Sequence, residues 1–109
     1  MYITITALQN LHGTKPLKLD GIIKLVKEPD NKYDTEAIAC EMRYFGKIGY
    51  VANSSHTVFD GTNSAGRIYD KIGEFAYARV CFITHSSVIA ELITPEQTVL
   101  PVSYDEILF

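Results

Sequence analysis

The chain has 109 residues, enough for one domain with a single core. Apolar residues are 47% of it and charged residues 21%, a globular balance that excludes intrinsic disorder. The net charge of −3 counts against broad binding of nucleic acid, which calls for a basic surface, and restricts any polyanion site to a small one.

Residues 2–8, YITITAL, alternate and are β-branched, which predicts a first strand and not a signal peptide. HGTKP (12–16) is punctuated as a loop, and GIIKLVK (21–27) predicts a second strand. EPDNKYD (28–34) interrupts the pattern before EAIACEMR (36–43), a third strand. Phe45-Gly46 marks a turn into KIGYVAN (47–53), a fourth strand with Gly49 inside it. Glycine within a strand marks a bulge or a close approach.

From Ser54 the alternation stops. Ser64 before AGRIYDKI reads as a helix N-cap, with Ile68 and Ile72 on one face beside Ala65, and Gly73 fits the position after the helix. FAYARVCFIT (75–84) and SVIAEL (87–92) predict a closing hairpin through His85-Ser86. Short strands of this number hide their edges best in a closed or half-open barrel. The predicted fold is therefore mostly β: a small six-stranded OB-like or SH3-like barrel, with one or two short helices after strand four. Residues 1–93 form the barrel domain, and 94–109, ending in Ile107, Leu108 and Phe109, pack on it or extend from it. With no run of eighteen apolar residues, no membrane partner is expected and the cytoplasm is the expected location.

The interrupting loop has ordered chemistry. Pro29 fixes its own φ and extends Glu28. Asp30 and Asn31 are placed to accept nearby backbone amides as Asx-turns, and Asp34 to accept those of Thr35, Glu36 or Ala37. Such a loop holds Tyr33 in a set direction, which suits stacking on a base or sugar. The plainer alternative is a strand connection whose tyrosine packs on the barrel rim.

Other candidates are weaker. Lys24, Lys27, Lys32, Arg43, Lys47 and Arg67 fall towards one end of such a barrel, as a groove for two or three phosphates or as solvated surface. NSAGR (63–67) offers Ser64, the Gly66 amide and Arg67 at a helix start, a phosphate site or an ordinary cap. Ser54, Ser55 and His56 are adjacent, but neighbouring side chains diverge and make no triad, so no enzyme activity is expected. Cys40 and Cys81, in predicted strands, read as buried reduced thiols. They share no metal-ligand spacing with His12, His56 or His85, so neither metal nor cofactor is expected.

The run Leu25, Val26, Lys27, Glu28, Pro29, Asp30, Asn31, Tyr33, Asp34, Ala37, Ile38, followed by Lys47, Ile48, Gly49 and Tyr50, resembles the signature of the HIRAN domain. The stretch from Tyr50 to Gly73 is similar to stand-alone bacterial members. The resemblance implies an OB-like barrel with helices inserted after the fourth strand. Some members of that family are modules of DNA-remodelling translocases that bind the 3′ end of single-stranded DNA. Carried over by position, Tyr33 stacks near the terminal nucleotide and Asp34 accepts its 3′-hydroxyl. Gln9 and Asn10 stand nearest the Arg-Tyr pair of the DNA-binding members, and Tyr50 stands where they have histidine. The expected function is a nucleic-acid-binding module for single-stranded DNA or DNA 3′ ends, working alone or beside a helicase or nuclease. Its expected site is Tyr33, Asp34, Tyr50, Lys27, Asn31, Lys47 and Arg67. The alternative is a protein-interaction module.

Overall fold

The structure is a computed structural model and describes residues 1–6, 17–43, 45–84 and 86–93. The 12–16 loop, Gln9, Asn10, His85 and the 94–109 tail lie outside the described residues. Six strands alternate with turns along the chain: β1 (Tyr2–Thr6), β2 (Ile22–Lys27), β3 (Ile38–Met42), β4 (Gly46–Val51), β5 (Phe75–Ile83) and β6 (Val88–Ile93). One short helix, α1 (Ala65–Tyr69), lies between β4 and β5. The strands close into a barrel in the order β1-β4-β3-β2-β5-β6, with every pairing antiparallel. The predicted mostly β barrel is the observed fold.

Period-two burial explains why these segments are strands. Ile3 and Ile5 of β1, Ile23 and Leu25 of β2, Ile38 and Cys40 of β3, and Val88 and Ala90 of β6 all point inward and are fully buried. Each large aliphatic contributes roughly 1.5–3 kcal/mol by leaving water. Gly46 takes a positive φ of 71° at the start of β4, a conformation that favours glycine, just after the Phe45 amide closes a turn on the Met42 carbonyl.

The ladder slips twice. Cys40 pairs with Gly49 but Glu41 with Lys47, so Ile48 is an extra residue on β4 beside the glycine. Val80 pairs with Ala90 but Phe82 with Ile89, so Cys81 is the extra residue on β5. That bulge corrects the reading of Cys81 as buried: its thiol is only half-buried, whereas Cys40 is in the core.

The 52–64 segment folds back over β1. Thr4 points away from the barrel interior yet is fully buried, because its Oγ1 meets Thr62 Oγ1 at 2.8 Å and accepts the Phe59 amide at 3.2 Å. Ser64 caps α1 by accepting the Arg67 amide at 3.3 Å, and Ala65 and Ile68 bury the helix against the barrel. The helix is shorter than the AGRIYDKI pattern predicts. It tightens at Lys71, whose amide bonds the Ile68 carbonyl, and the Lys27 ammonium bonds the Ile72 carbonyl at 3.0 Å.

Candidate nucleic-acid interface

The loop between β2 and β3 is organised by one side chain. Asn31 Oδ1 accepts the backbone amides of Tyr33 at 2.9 Å and Asp34 at 3.0 Å, while its Nδ2 donates to Glu28 Oε1 at 3.1 Å. Donor and acceptor face opposite partners, so the amide has one satisfying orientation. Backbone bonds close the loop on both sides, from Glu28 N to the Ala37 carbonyl and from Ala37 N to the Asp34 carbonyl. Asp34 Oδ1 also accepts the Glu36 amide at 2.9 Å. The Tyr33 side chain, at the apex, is 95% exposed. The loop therefore holds its backbone without burying its ring.

Below Tyr33 opens a groove of about 550 Å³, lined by Asn31, Tyr33, Asp34, Tyr50, Asn53 and Thr57 among others. β4 supplies Tyr50 from its outer face and, just beyond its end, Asn53. Asn53 Nδ2 donates to Asp34 Oδ2 at 2.8 Å, and its Oδ1 accepts the Gly66 amide at 2.8 Å. Asp34 is the only charged residue among the described residues of the lining. The groove therefore combines hydroxyls, amides and one carboxylate with two aromatic rings and the aliphatic side chains of Ala37, Val51 and Ala52. Such a surface accepts hydrogen bonds from sugar hydroxyls and stacks flat rings, and it does not neutralise phosphate.

At one side of the groove Glu28 is a hub. Its Oε1 accepts the Tyr50 hydroxyl at 3.0 Å, and its Oε2 lies 2.6 Å from Lys47 Nζ, which also donates to the Tyr50 oxygen at 2.9 Å. Burial pulls the Glu28 carboxyl up, but the hydrogen bonds from Lys47, Asn31 and Tyr50 outweigh it and hold the group below its ordinary value. The hydrogen bond to Glu28, seconded by the one to Tyr50, raises Lys47 to about 12.

The structure brings together four of the sequence-derived residues, Asn31, Tyr33, Asp34 and Tyr50, in one lining, with Lys47 held against Tyr50 and Glu28. Lys27 turns the other way: its ammonium lies 4.4 Å from the centre of the Tyr69 ring and bonds Ile72. Arg67 is exposed on α1 and outside the lining. Ser64 is occupied as the helix cap, and the Gly66 amide is taken by Asn53. Of the cations read as one cluster, Lys24 lies over the Phe75 ring, and none lines this groove. Sequence reasoning missed Asn53, which no local motif marks. It also gave Glu28 no role, although a carboxylate before Pro29 in an otherwise exposed loop signals a fixed partner.

The model of one family, described as the HIRAN domain, matches residues 1–81. This chain belongs to the HIRAN domain family. No curated protein matches it. Among solved structures, the HIRAN barrel is similar to the crystal structure of the HIRAN domain of human HLTF, with a TM-score of 0.61 at 15% identity, covering 84% of this chain and 71% of that one. It is also similar to a crystal structure of a protein from Lactobacillus plantarum, with a TM-score of 0.56 at 18% identity, covering 85% of this chain and 92% of that one. At such identities the likeness is one of fold.

Proposed function

We propose that this HIRAN domain binds single-stranded nucleic acid, with DNA and its 3′ ends as the ligand class, and that it binds without catalysing a reaction. The observation that carries the reading is Tyr33: a fully solvated ring on a loop whose backbone is held by Asn31. An aromatic ring left in water contributes nothing to the barrel, and a fixed loop lowers the entropy lost when a base stacks on it. Asp34 and Tyr50 line the adjoining groove, where a carboxylate accepts a terminal sugar hydroxyl and repels a terminal phosphate. This agrees with the roles that the HIRAN signature implies. Phosphates are met outside the groove, by exposed Lys32 beside Tyr33 and by Arg67.

Binding of this kind is weak and salt-sensitive. With few cations at hand the salt slope is shallow, about 0.7 per phosphate for a single strand. A fluorescence-anisotropy titration with oligonucleotides ending in a 3′-hydroxyl, with the same strands ending in a 3′-phosphate, and with blunt duplex tests the reading. The expected order is 3′-hydroxyl strand, then 3′-phosphate strand, then duplex.

One observation favours a protein-interaction module as a second reading. Tyr2, Phe59, Phe82 and Ile89 line a separate hollow of about 300 Å³, and the Phe82 ring is 65% exposed. Absence of any oligonucleotide binding at low salt leaves this second reading, with a helicase or nuclease as the class of partner.

A further inference from the structure

Asp34 does not stand alone. Each of its carboxylate oxygens already accepts one hydrogen bond, Oδ1 from the Glu36 amide and Oδ2 from Asn53 Nδ2. The Glu36 bond is local to the loop and moves with it. The Asn53 bond is different, because it crosses 19 positions of sequence and ties the loop to the end of β4. Asn53 is itself held from behind. Its Oδ1 accepts the Gly66 amide at 2.8 Å, in the first turn of α1, and α1 is fixed to the barrel by buried Ala65 and Ile68. The partners fix the side-chain amide: oxygen towards an N–H, nitrogen towards a carboxylate. The reversed orientation faces a donor with a donor and a carboxylate with a carbonyl.

Residue 66 permits this approach. A Cβ there would lie 3.2 Å from Asn53 Oδ1 and 2.8 Å from Glu36 Oε1. The Glu36 atom is the free end of a long side chain and swings away at little cost. The Asn53 oxygen is pinned and does not.

We infer that Asn53 is a positioning residue for Asp34, and that preference for a free 3′-hydroxyl over a 3′-phosphate depends on it. The inference rests on the nucleic-acid reading above. A carboxylate with Oδ2 anchored from the β4 side and Oδ1 from the loop side presents its remaining lone pairs in one direction. Without Asn53, Asp34 keeps only the local anchor and turns about χ1 and χ2. Its charge stays near the groove, but its aim at a sugar hydroxyl is lost. Asn53 thus acts on selectivity through Asp34.

The pair allows an exchange that separates aim from bonding. In Asn53→Asp combined with Asp34→Asn, the carboxylate at 53 still accepts the Gly66 amide and now accepts the side-chain nitrogen at 34, whose oxygen still accepts Glu36. Every hydrogen bond is satisfied, and the charge has moved. In Asn53→Asp alone two carboxylates face each other, and like charges at that distance do not both ionise freely.

The experiment measures anisotropy with matched 3′-hydroxyl and 3′-phosphate strands, taking the ratio of the two affinities for wild type, Asn53→Ala, Asn53→Asp and the exchanged pair, with a thermal melt of each. The expected ratio falls roughly tenfold in Asn53→Ala, the lower end for one hydrogen bond to a charged group. In Asn53→Asp the ratio falls as well, because an ionised carboxylate at 53 keeps the Gly66 bond but has no hydrogen to donate to Asp34. The exchanged pair regains the melting temperature of wild type but not its ratio. Should Asn53→Ala destabilise the fold, Asn53→Asp, which keeps the Gly66 bond, carries the comparison. A selective wild type whose ratio survives both Asn53 substitutions overturns the inference and leaves the nucleic-acid reading intact. A wild type that binds both strands equally overturns it too, because nothing is then aimed. A wild type that binds neither strand overturns the nucleic-acid reading, and the inference with it.

Discussion

Glu28 and Lys47, on different sides of the β3 strand, meet at 2.6 Å with the Tyr50 hydroxyl bonded to both. The contact closes one side of the groove. It also starts a polar chain that runs from Glu28 to Asn31, from Asn31 to the backbone of Tyr33 and Asp34, and from Asp34 through Asn53 to Gly66. The β2–β3 loop is therefore fastened to β4 at both of its ends and, through Asn53, to α1.

Replacing Lys47 by Met should cost about 1 kcal/mol at neutral pH, since the pair is partly solvated and its worth is screened. Its pH dependence has a definite sign. Glu28 titrates below its ordinary value of 4.5 when folded, so its share is present above that value and is lost as pH falls through the lowered one. Lys47 is raised from 10.5 to about 12, so its share is present below 10.5 and is lost as pH rises through 12. The stability gap between wild type and Lys47→Met, from urea melts, should be flat from about pH 5 to about pH 10 and shrink below pH 4. A gap that grows in acid contradicts the assignment.

Asn31→Ala removes an acceptor from two amides and a donor from Glu28. The expected loss is about 1–2 kcal/mol, concentrated in the loop. Hydrogen exchange at the Tyr33 and Asp34 amides should accelerate well beyond that of the barrel strands. Equal protection in both proteins would show that the backbone alone holds the loop.

Thr4→Val keeps the shape of a fully buried side chain and deletes the hydroxyl that Thr62 and the Phe59 amide use. A loss of roughly 1–2 kcal/mol is expected, with most of it regained in Thr4→Ser, by thermal melting. A neutral Thr4→Val means that the 57–62 segment is held by other contacts.

The two cysteines should behave differently towards iodoacetamide. Burial pushes the Cys40 thiol far up, and the core excludes reagent, whereas Cys81 sits half-exposed at the β5 bulge. Mass spectrometry of the native protein should find one label, on Cys81, and two after unfolding in urea. Labelling of native Cys40 at a similar rate contradicts the closed barrel.

Much of the barrel is legible in the sequence because inward residues alternate along each strand and turn residues bracket them. The loop is legible too, since an Asn two or three positions before the amides it captures is a local signal. What is not legible depends on contacts far apart in the chain. Asn53 meets Asp34 and Gly66 only because β4 ends beside the β2–β3 loop, and the extra residue at Cys81 is set by its pairing with β6. The lysines read as one cluster fail to gather for the same reason. Lys27 is drawn to Tyr69 and Ile72, and Lys47 to Glu28, partners that no spacing along the sequence announces.

The most direct measurement is the affinity of a short single strand for wild type, Tyr33→Phe and Tyr33→Ala at low salt. Tyr33 is 95% exposed, so neither substitution disturbs the barrel and any change in affinity belongs to the ring. Losing one stacked base is worth about 1–3 kcal/mol, roughly five- to 150-fold in affinity. The account predicts that Tyr33→Phe binds nearly as wild type and that Tyr33→Ala binds weaker by about fivefold or more. Equal affinity in all three, or no binding by any, contradicts it.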